Sequence, residues 1–445
     1  MKSTKISTLR ERKAAGQALR KITSRASHGK FKRAHKTPDV ISIVKAANMG
    51  RVPTLVPEKM SRMSVSPFTF FRGAAPIMAA DLATLPVSGL NVQLCGDAHV
   101  RNLGAYAAPD GHLVFDLNDF DETIIGPWEW DIKRLAASIV VAGRDTLNKD
   151  DACIEAVEAM VCSYRKSMWL FAQMPTLELA RHEIGRLVTQ GIVQRILSVA
   201  ERVTPAKTIT KLTETPPGGL PRFHDKLPVL EHVPHATEKA VLASLADYRN
   251  TLGANRQMIF DAFKPVDVAF KIVGTGSVGT RDYVVLFFGN GLKDPLFLQV
   301  KESLESCYTP YLPKANPPSH HGQRVAQGQQ RMQTESDPFL GWTSIEGRDF
   351  LVRQLSDHKA SLDPEHLKGG ALFHYAVVCG EALAKAHART GDAAAIAGYC
   401  GESDKLDHAL AKFAVLYADQ TKKDWLAFKK AIANGKIKAN KPKAK

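Results

Sequence analysis

The chain has 445 residues, 44% hydrophobic and 24% charged, which excludes a disordered, collagen-like or disulfide-stapled protein and suffices for two large lobes or about three average domains. Its formal net charge of +15 invites nucleic-acid or anionic-membrane binding, yet the charge is unevenly placed. Residues 1–36 carry twelve Lys or Arg and one acid, residues 421–445 carry nine Lys and one acid, and the body between them is slightly acidic.

In chain order, the basic, Ser-rich start leads into a short apolar helix over Val40–Ala47 and a Pro-containing loop from Val52 to Pro57. A helical pattern covers Gly73–Leu82, and Val92–Cys95 reads as a buried strand that stops at Gly96-Asp97. Leu113–Leu117 is a second strand, and Asp131 is placed as the N-cap of a helix over Asp131–Ala142. Successive helices over Asp151–Val203 end in the Pro-, Thr- and Gly-rich residues 204–235, the best internal boundary. A helix over Ala236–Phe263 precedes strands at Val266–Val273, Asp282–Phe288 and Leu296–Val300. Pro313–Gly322 is loop, Gln323–Thr334 a polar helix, Phe350–Leu355 a strand and Leu372–Arg389 an Ala-rich helix. Helix over residues 402–434 then gives way to a fraying Lys-rich tail. The expected units are a basic segment (1–50), a helical lobe with catalytic and metal-binding loops (51–235), a β-rich nucleotide-binding lobe (236–360), C-terminal helices (361–430) and the tail (431–445).

Six cysteines without a C-x-x-C pair point to reduced, mostly buried thiols and no zinc site. The longest apolar runs are of strand length, and no apolar stretch of secretory type follows the basic start, so a cytoplasmic protein without a transmembrane segment is expected.

Two constellations carry chemistry. In Gly96-Asp97-Ala98-His99-Val100-Arg101-Asn102, an Asp at a strand end can accept the proton of an attacking hydroxyl, and an Asn five residues on can offer an amide oxygen to a metal. Asp119 is the natural second ligand for Mg²⁺, which takes carboxylate and amide oxygens together with substrate phosphates; Asp116 and Asp121 compete for the role. Asp131 reads as a helix cap that also holds the catalytic loop. The second constellation is Gly274-Thr275-Gly276-Ser277-Val278-Gly279. A dinucleotide fold would continue from its third glycine into a helix, whereas Thr280–Phe288 is β-branched and aromatic and therefore a strand. Strand, glycine loop and strand make a hairpin that can cover nucleotide phosphates, and the next strand delivers Lys301 on the same face as Gln299 and Phe297. His387-Ala388-Arg389-Thr390-Gly391-Asp392 imitates a catalytic loop, but Ala397 stands where a metal-binding Asn is needed, which leaves His387, Arg389 and Asp392 as supporting or substrate-contacting candidates.

The segments Phe71-Arg72-Gly73, Leu94 to His99, Asn118 to Glu122, Gly126 to Asp131, Val273 to Gly279, Gln299 to Glu302, Val352 to Leu355 and Ala386 to Arg389 together resemble a bacterial family, domain of unknown function 2252, from about Gly16 to Tyr417. Gly96–Asn102 also resembles the G-D-x-H-x-x-N loop of aminoglycoside and choline kinases, within the protein-kinase-like phosphotransferase superfamily. That wider resemblance implies an α+β, two-lobed, circularly permuted kinase-like fold, with a small antiparallel β lobe and a large helical lobe. It implies Asp97 as catalytic base, Asn102 and Asp119 as Mg²⁺ ligands, Gly274, Thr275, Gly276, Ser277 and Gly279 as the phosphate lid, and Lys301 as the ATP phosphate clamp. Three departures stand out: the catalytic motifs precede the glycine loop, Gln299 occupies the place of a small residue that admits adenine, and no Glu is clearly placed to pair with Lys301.

The leading expectation is an ATP- and Mg²⁺-dependent phosphotransferase with an unknown small-molecule or protein acceptor. Nucleotidyl transfer or a nucleotide-binding pseudokinase keeps the fold and changes the chemistry. A non-catalytic protein that binds RNA or a membrane surface through its basic ends is the reading of a different class, against plain solubilising tails.

Overall fold

The computed structural model describes residues 6–184, 191–226, 229–272, 274–355 and 359–440. Val273, the end of one expected strand and the start of a quoted motif, and the last five residues of the Lys-rich tail lie outside the described residues. The protein is mixed α and β, and its sheets are antiparallel.

A six-stranded sheet has the order Gly341–Ile345, Arg348–Gln354, Pro295–Glu302, Asp282–Phe288, Lys264–Lys271 and Leu230–His232. Asp282–Phe288 is buried at every position, as its sequence Asp-Tyr-Val-Val-Leu-Phe-Phe requires of a central strand covered on both sides. On one face Leu296, Leu298, Val300, Val285, Phe287 and Val352 meet Val241, Leu245, Tyr248 and Phe260, which come from two helices, His235–Asn250 and Ala254–Asp261. The expected single helix over Ala236–Phe263 breaks at Gly253, the N-cap of the second. On the other face Phe297, Val284, Leu286 and Phe288 meet Phe223, with Ile209 and Leu212 alongside. Each such side chain taken from water stabilises the fold by about 1.5–3 kcal/mol. Residues 204–235 are thus part of the sheet's packing: they hold the helix Pro205–Leu212 and three short strands.

The helical body packs Trp128–Asp145, Asp150–Gln173, Gly370–Thr390 and Lys405–Ala433 around a large apolar cluster. All six cysteines are free, and Cys95, Cys153, Cys379 and Cys400 are buried. Among the described residues, no helix is long and apolar enough to cross a membrane.

Much of the basic N-terminal segment is docked. Thr8 caps the helix Leu9–Leu19 through a capping box with Glu11. Gly16 and Gly398 let this helix lie backbone to backbone on the helix Ala393–Cys400. Arg12 pairs with Asp392, Lys13 with Glu402, and Arg33 with both Asp81 and Asp424, while Arg20 and Arg25 donate to carbonyls of residues 398–400. At the other end, the segment after Ala433 buries Ile437 and bonds Asn440 to Pro57 and Glu58 instead of fraying directly.

Candidate functional site

Two strand pairs build the site. Asn91–Leu94 pairs with Ile124–Pro127, with Leu94 opposite Ile124, so the turn after the first strand lies beside the loop before the second. Leu103–Ala107 pairs with Leu113–Leu117, with Leu103 opposite Leu117, which sets Asn102 beside Asn118; the Asn118 amide donates to the Asn102 carbonyl at 3.0 Å. Loops 95–102 and 118–123 are therefore neighbours by register. Gly96 makes the turn with φ +86°, and a Cβ there would overlap the Glu122 carbonyl oxygen. Gly96→Ala is expected to lower stability by at least ~1–2 kcal/mol from the left-handed backbone alone, and to displace Asp97 as well. A urea denaturation midpoint at or above wild type would contradict this.

The helix Trp128–Asp145 fixes the first loop. It starts three residues before the expected Asp131, with Pro127 as N-cap, because Trp128 and Glu129 are drawn into the buried first turn. Asp131 does not cap the helix: its carboxylate accepts the amides of Cys95 (2.8 Å) and Gly96 (3.0 Å) and contacts His387 Nε2 at 3.3 Å. One turn on, Arg134 is fully buried, donates Nε to Asp97 Oδ1 at 2.5 Å and Nη2 to the Phe71 carbonyl at 3.1 Å, and stacks on the Phe71 ring. The sequence reading did not single out Arg134; its i+3 spacing from Asp131 was the available signal. Burial raises the pKa of Asp97 above the usual carboxylate value, and Arg134 and Arg72 only partly offset this.

Asn102 donates its amide NH₂ to the Asp97 carbonyl at 3.0 Å, so Oδ1 is the atom left for a ligand. Among the described residues Asp119 Oδ1 receives only the Asp121 amide, at 3.4 Å, and burial followed by Asp121 raises its pKa. Asp116 is engaged elsewhere, in a buried pair with Lys385. Lys301 is the penultimate residue of the strand Pro295–Glu302 and pairs with Asp121 at 2.5 Å across 180 positions of chain. Burial disfavours both charged forms, but the pair holds the Asp121 pKa down and the Lys301 pKa up. The partner of Lys301 is thus Asp121, not a Glu. Glu302 is held by Arg281 and Arg348, and the helix His321–Met332 contributes Arg324, which clamps the carbonyls of Asp121, Thr123 and Leu304.

The glycine loop lies across the chain from these groups. Gly274 and Gly279 have positive φ, and the loop is pinned from the N-terminal side. Arg62 donates to the Gly274 carbonyl at 2.6 Å, Arg51 to that of Val278 at 2.9 Å, and the Val52 amide to that of Gly279 at 2.7 Å. A cleft of roughly 820 Å³ is lined by Asp97, Asn102 and Asp119 together with Gly274, Thr275, Gly276 and Ser277. Gly279 and Lys301 stand outside its lining; Lys301 reaches it through Asp121, which does line it. Gln299 is sealed in the sheet, donating to Asp282 at 2.8 Å and accepting from Arg353 at 3.0 Å.

The side chains of the imitation loop are bonded within the fold. His387 Nδ1 bonds the Tyr164 hydroxyl at 2.8 Å, Arg389 donates to three carbonyls, and Asp392 caps the helix Ala393–Cys400. Among the described residues, no three His, Cys, Asp or Glu side chains form a metal-holding group. Asp119 and Asn102 suit instead a Mg²⁺ ion that arrives with substrate phosphates, since that ion commonly takes one or two carboxylates from the protein.

Fold and site define an α+β protein with antiparallel sheets and a carboxylate-lined cleft roofed by a glycine loop. A family model described as "Uncharacterized protein conserved in bacteria (DUF2252)" matches residues 51–431, and the chain belongs to that family. No curated protein and no solved structure matches it.

Proposed function

We propose that the protein is an ATP- and Mg²⁺-dependent phosphotransferase with a circularly permuted, kinase-like arrangement. The observation that carries this reading is the single cleft in which Asp97, Asn102 and Asp119 face a glycine loop more than 150 positions further along the chain. The strand after the glycine hairpin supplies Lys301, as phosphate-clamping lysines do in protein kinases. Asp119 and Asn102 would hold Mg²⁺, which supplies charge neutralisation on the phosphates. The amides of Gly274–Ser277 would orient the nucleotide phosphates, and Lys301, now paired with Asp121 behind the cleft lining, would have to turn from that pair to join them. Asp97 accepts the acceptor's hydroxyl proton as its oxygen bonds to the γ-phosphorus, and the bond from that phosphorus to the bridging oxygen breaks to release ADP. Arg134 keeps the Asp97 carboxylate oriented, and Asp131 holds the loop that carries it.

The test is thermal unfolding of the full chain with Mg²⁺ and ATP, followed by incubation of γ-labelled ATP with cell extract. A rise in Tm that needs both components, with label transferred, is expected; neither stabilisation nor transfer would remove the reading.

A second reading, nucleotidyl transfer, draws on Gln299. Its bonds to Asp282 and Arg353 close the position through which adenine would enter in the ordinary orientation. Product mass decides, since a gain of a nucleoside monophosphate excludes simple phosphorylation.

A further inference from the structure

Besides its carboxylates, the cleft is lined by cations beyond those a nucleotide clamp uses. Lys59 lies on the helix Val56–Ser64, is 2% exposed, and lines the cleft. Among the described residues its ammonium has no hydrogen bond and no ion pair. Arg72 lines the same cleft, pairs with no carboxylate among the described residues, and has a buried Nε without a partner. Arg51, also on the lining, gives Nε to the Ala47 carbonyl and Nη1 to that of Val278, and forms no ion pair among the described residues, although Glu122, Asp121 and Glu302 are near enough to act on its charge. Most of the acids around them are already engaged, Asp119 and the exposed Glu305 excepted. Glu122 accepts the Cys307 amide at 2.7 Å, Asp97 is held by Arg134, Asp121 by Lys301, and Glu302 by two arginines.

A buried ammonium with no ion pair or hydrogen bond is costly, and a Met of similar length would fill the same space without that cost. Burial, followed by Arg51, pushes the Lys59 pKa well down, Glu122 offsets only part of this, and a bound anion would favour the charged form. Ile43, Ala47, Pro76 and Tyr311 beside these cations offer an apolar wall for a carbon skeleton. Lys59 and Arg51 lie close enough for their charges to repel, Arg72 lines the same cleft, and such a set suits a doubly charged group better than a single carboxylate.

We propose that Lys59, Arg51 and Arg72 form an anion pocket that takes the phosphate group of a small phosphorylated acceptor, beside the hydroxyl presented to Asp97. The acceptor role rests on the phosphotransfer reading; the anion pocket does not.

The probe is inorganic phosphate, read by thermal unfolding of the full chain with and without a non-hydrolysable ATP analogue and Mg²⁺. Phosphate is expected to raise the wild-type Tm, and to raise it further when the analogue is bound. Lys59→Met is expected to raise the Tm of the ligand-free protein by a few degrees, lose the phosphate shift and keep the analogue's shift, while Lys59→Arg keeps both. Should Lys59→Met not fold, Lys59→Gln reads the same phosphate shift. The pocket is overturned if phosphate has no effect, if Lys59→Met and Lys59→Gln keep its effect, or if the effect vanishes once the analogue is bound. That last result would make these cations ligands of the nucleotide's own phosphates. A Lys59-dependent phosphate shift in a protein indifferent to ATP would keep the pocket and remove the phosphotransfer reading, and the acceptor role with it.

Discussion

Arg134→Met is expected to destabilise the protein by about 3–5 kcal/mol, the cost of breaking a buried ion pair from one side. Arg134 is fully buried and its guanidinium contacts Asp97, the Phe71 carbonyl and ring, and the Met78 sulfur. Met keeps much of the volume and the packing, so the loss reads the stranded charge of Asp97 and the orphaned carbonyl. The control is the double variant Arg134→Met/Asp97→Asn, in which no charge is stranded. It is expected to be more stable than Arg134→Met alone, with a favourable coupling between the two substitutions. Urea denaturation of the four proteins measures it. Strict additivity would show that Arg134 contributes packing and leaves Asp97 to solvent.

The sequence made the two loops legible because each carries a chemical constraint that a neighbour cannot share. Gly96 must turn with positive φ against Glu122, and the residues after Gly279 must be a strand since they are β-branched and aromatic. Register was harder. Asp119 and Asp121 sit two apart in a short loop, and spacing alone does not say which one meets Lys301; the chain's return through Ile124–Pro127 decides it. The short strands Leu103–Ala107, Ile124–Pro127 and Gly341–Ile345 contain Gly or Pro and were hidden for that reason. The basic start was the most misleading feature. Its helix docks through Gly16 and Ala-rich surfaces instead of large apolar residues, and an arginine that bonds a distant carbonyl looks in sequence like one that faces water.

The positions of Asp131 and His387 show how a helical body can hold the Asp97 loop in place. Asp131 takes two loop amides, and His387, fixed by Tyr164, contacts it from the long helix Gly370–Thr390. The loop's backbone is therefore set by elements that never reach the cleft, which leaves the Asp97 side chain, 19% exposed, as the part offered to a substrate.

Asp97→Asn is expected to reduce turnover by ~10²–10⁴-fold, the usual worth of a positioned base, while the ATP-dependent rise in Tm persists. Asn has the same shape and can still accept from Arg134 through its amide oxygen, but it cannot take the acceptor's proton. Its stability cost should be smaller than that of Arg134→Met, since the altered group is partly open to the cleft. The pH profile adds an independent check. A base must be ionised to work, and burial sets the Asp97 pKa above the ordinary aspartate value despite Arg134 and Arg72. Activity is therefore expected to fall on acidification through a pKa higher than that of an exposed Asp, and the residual activity of Asp97→Asn should lack this limb. Turnover of Asp97→Asn equal to wild type across that range would move the base elsewhere and leave Asp97 a purely structural partner of Arg134.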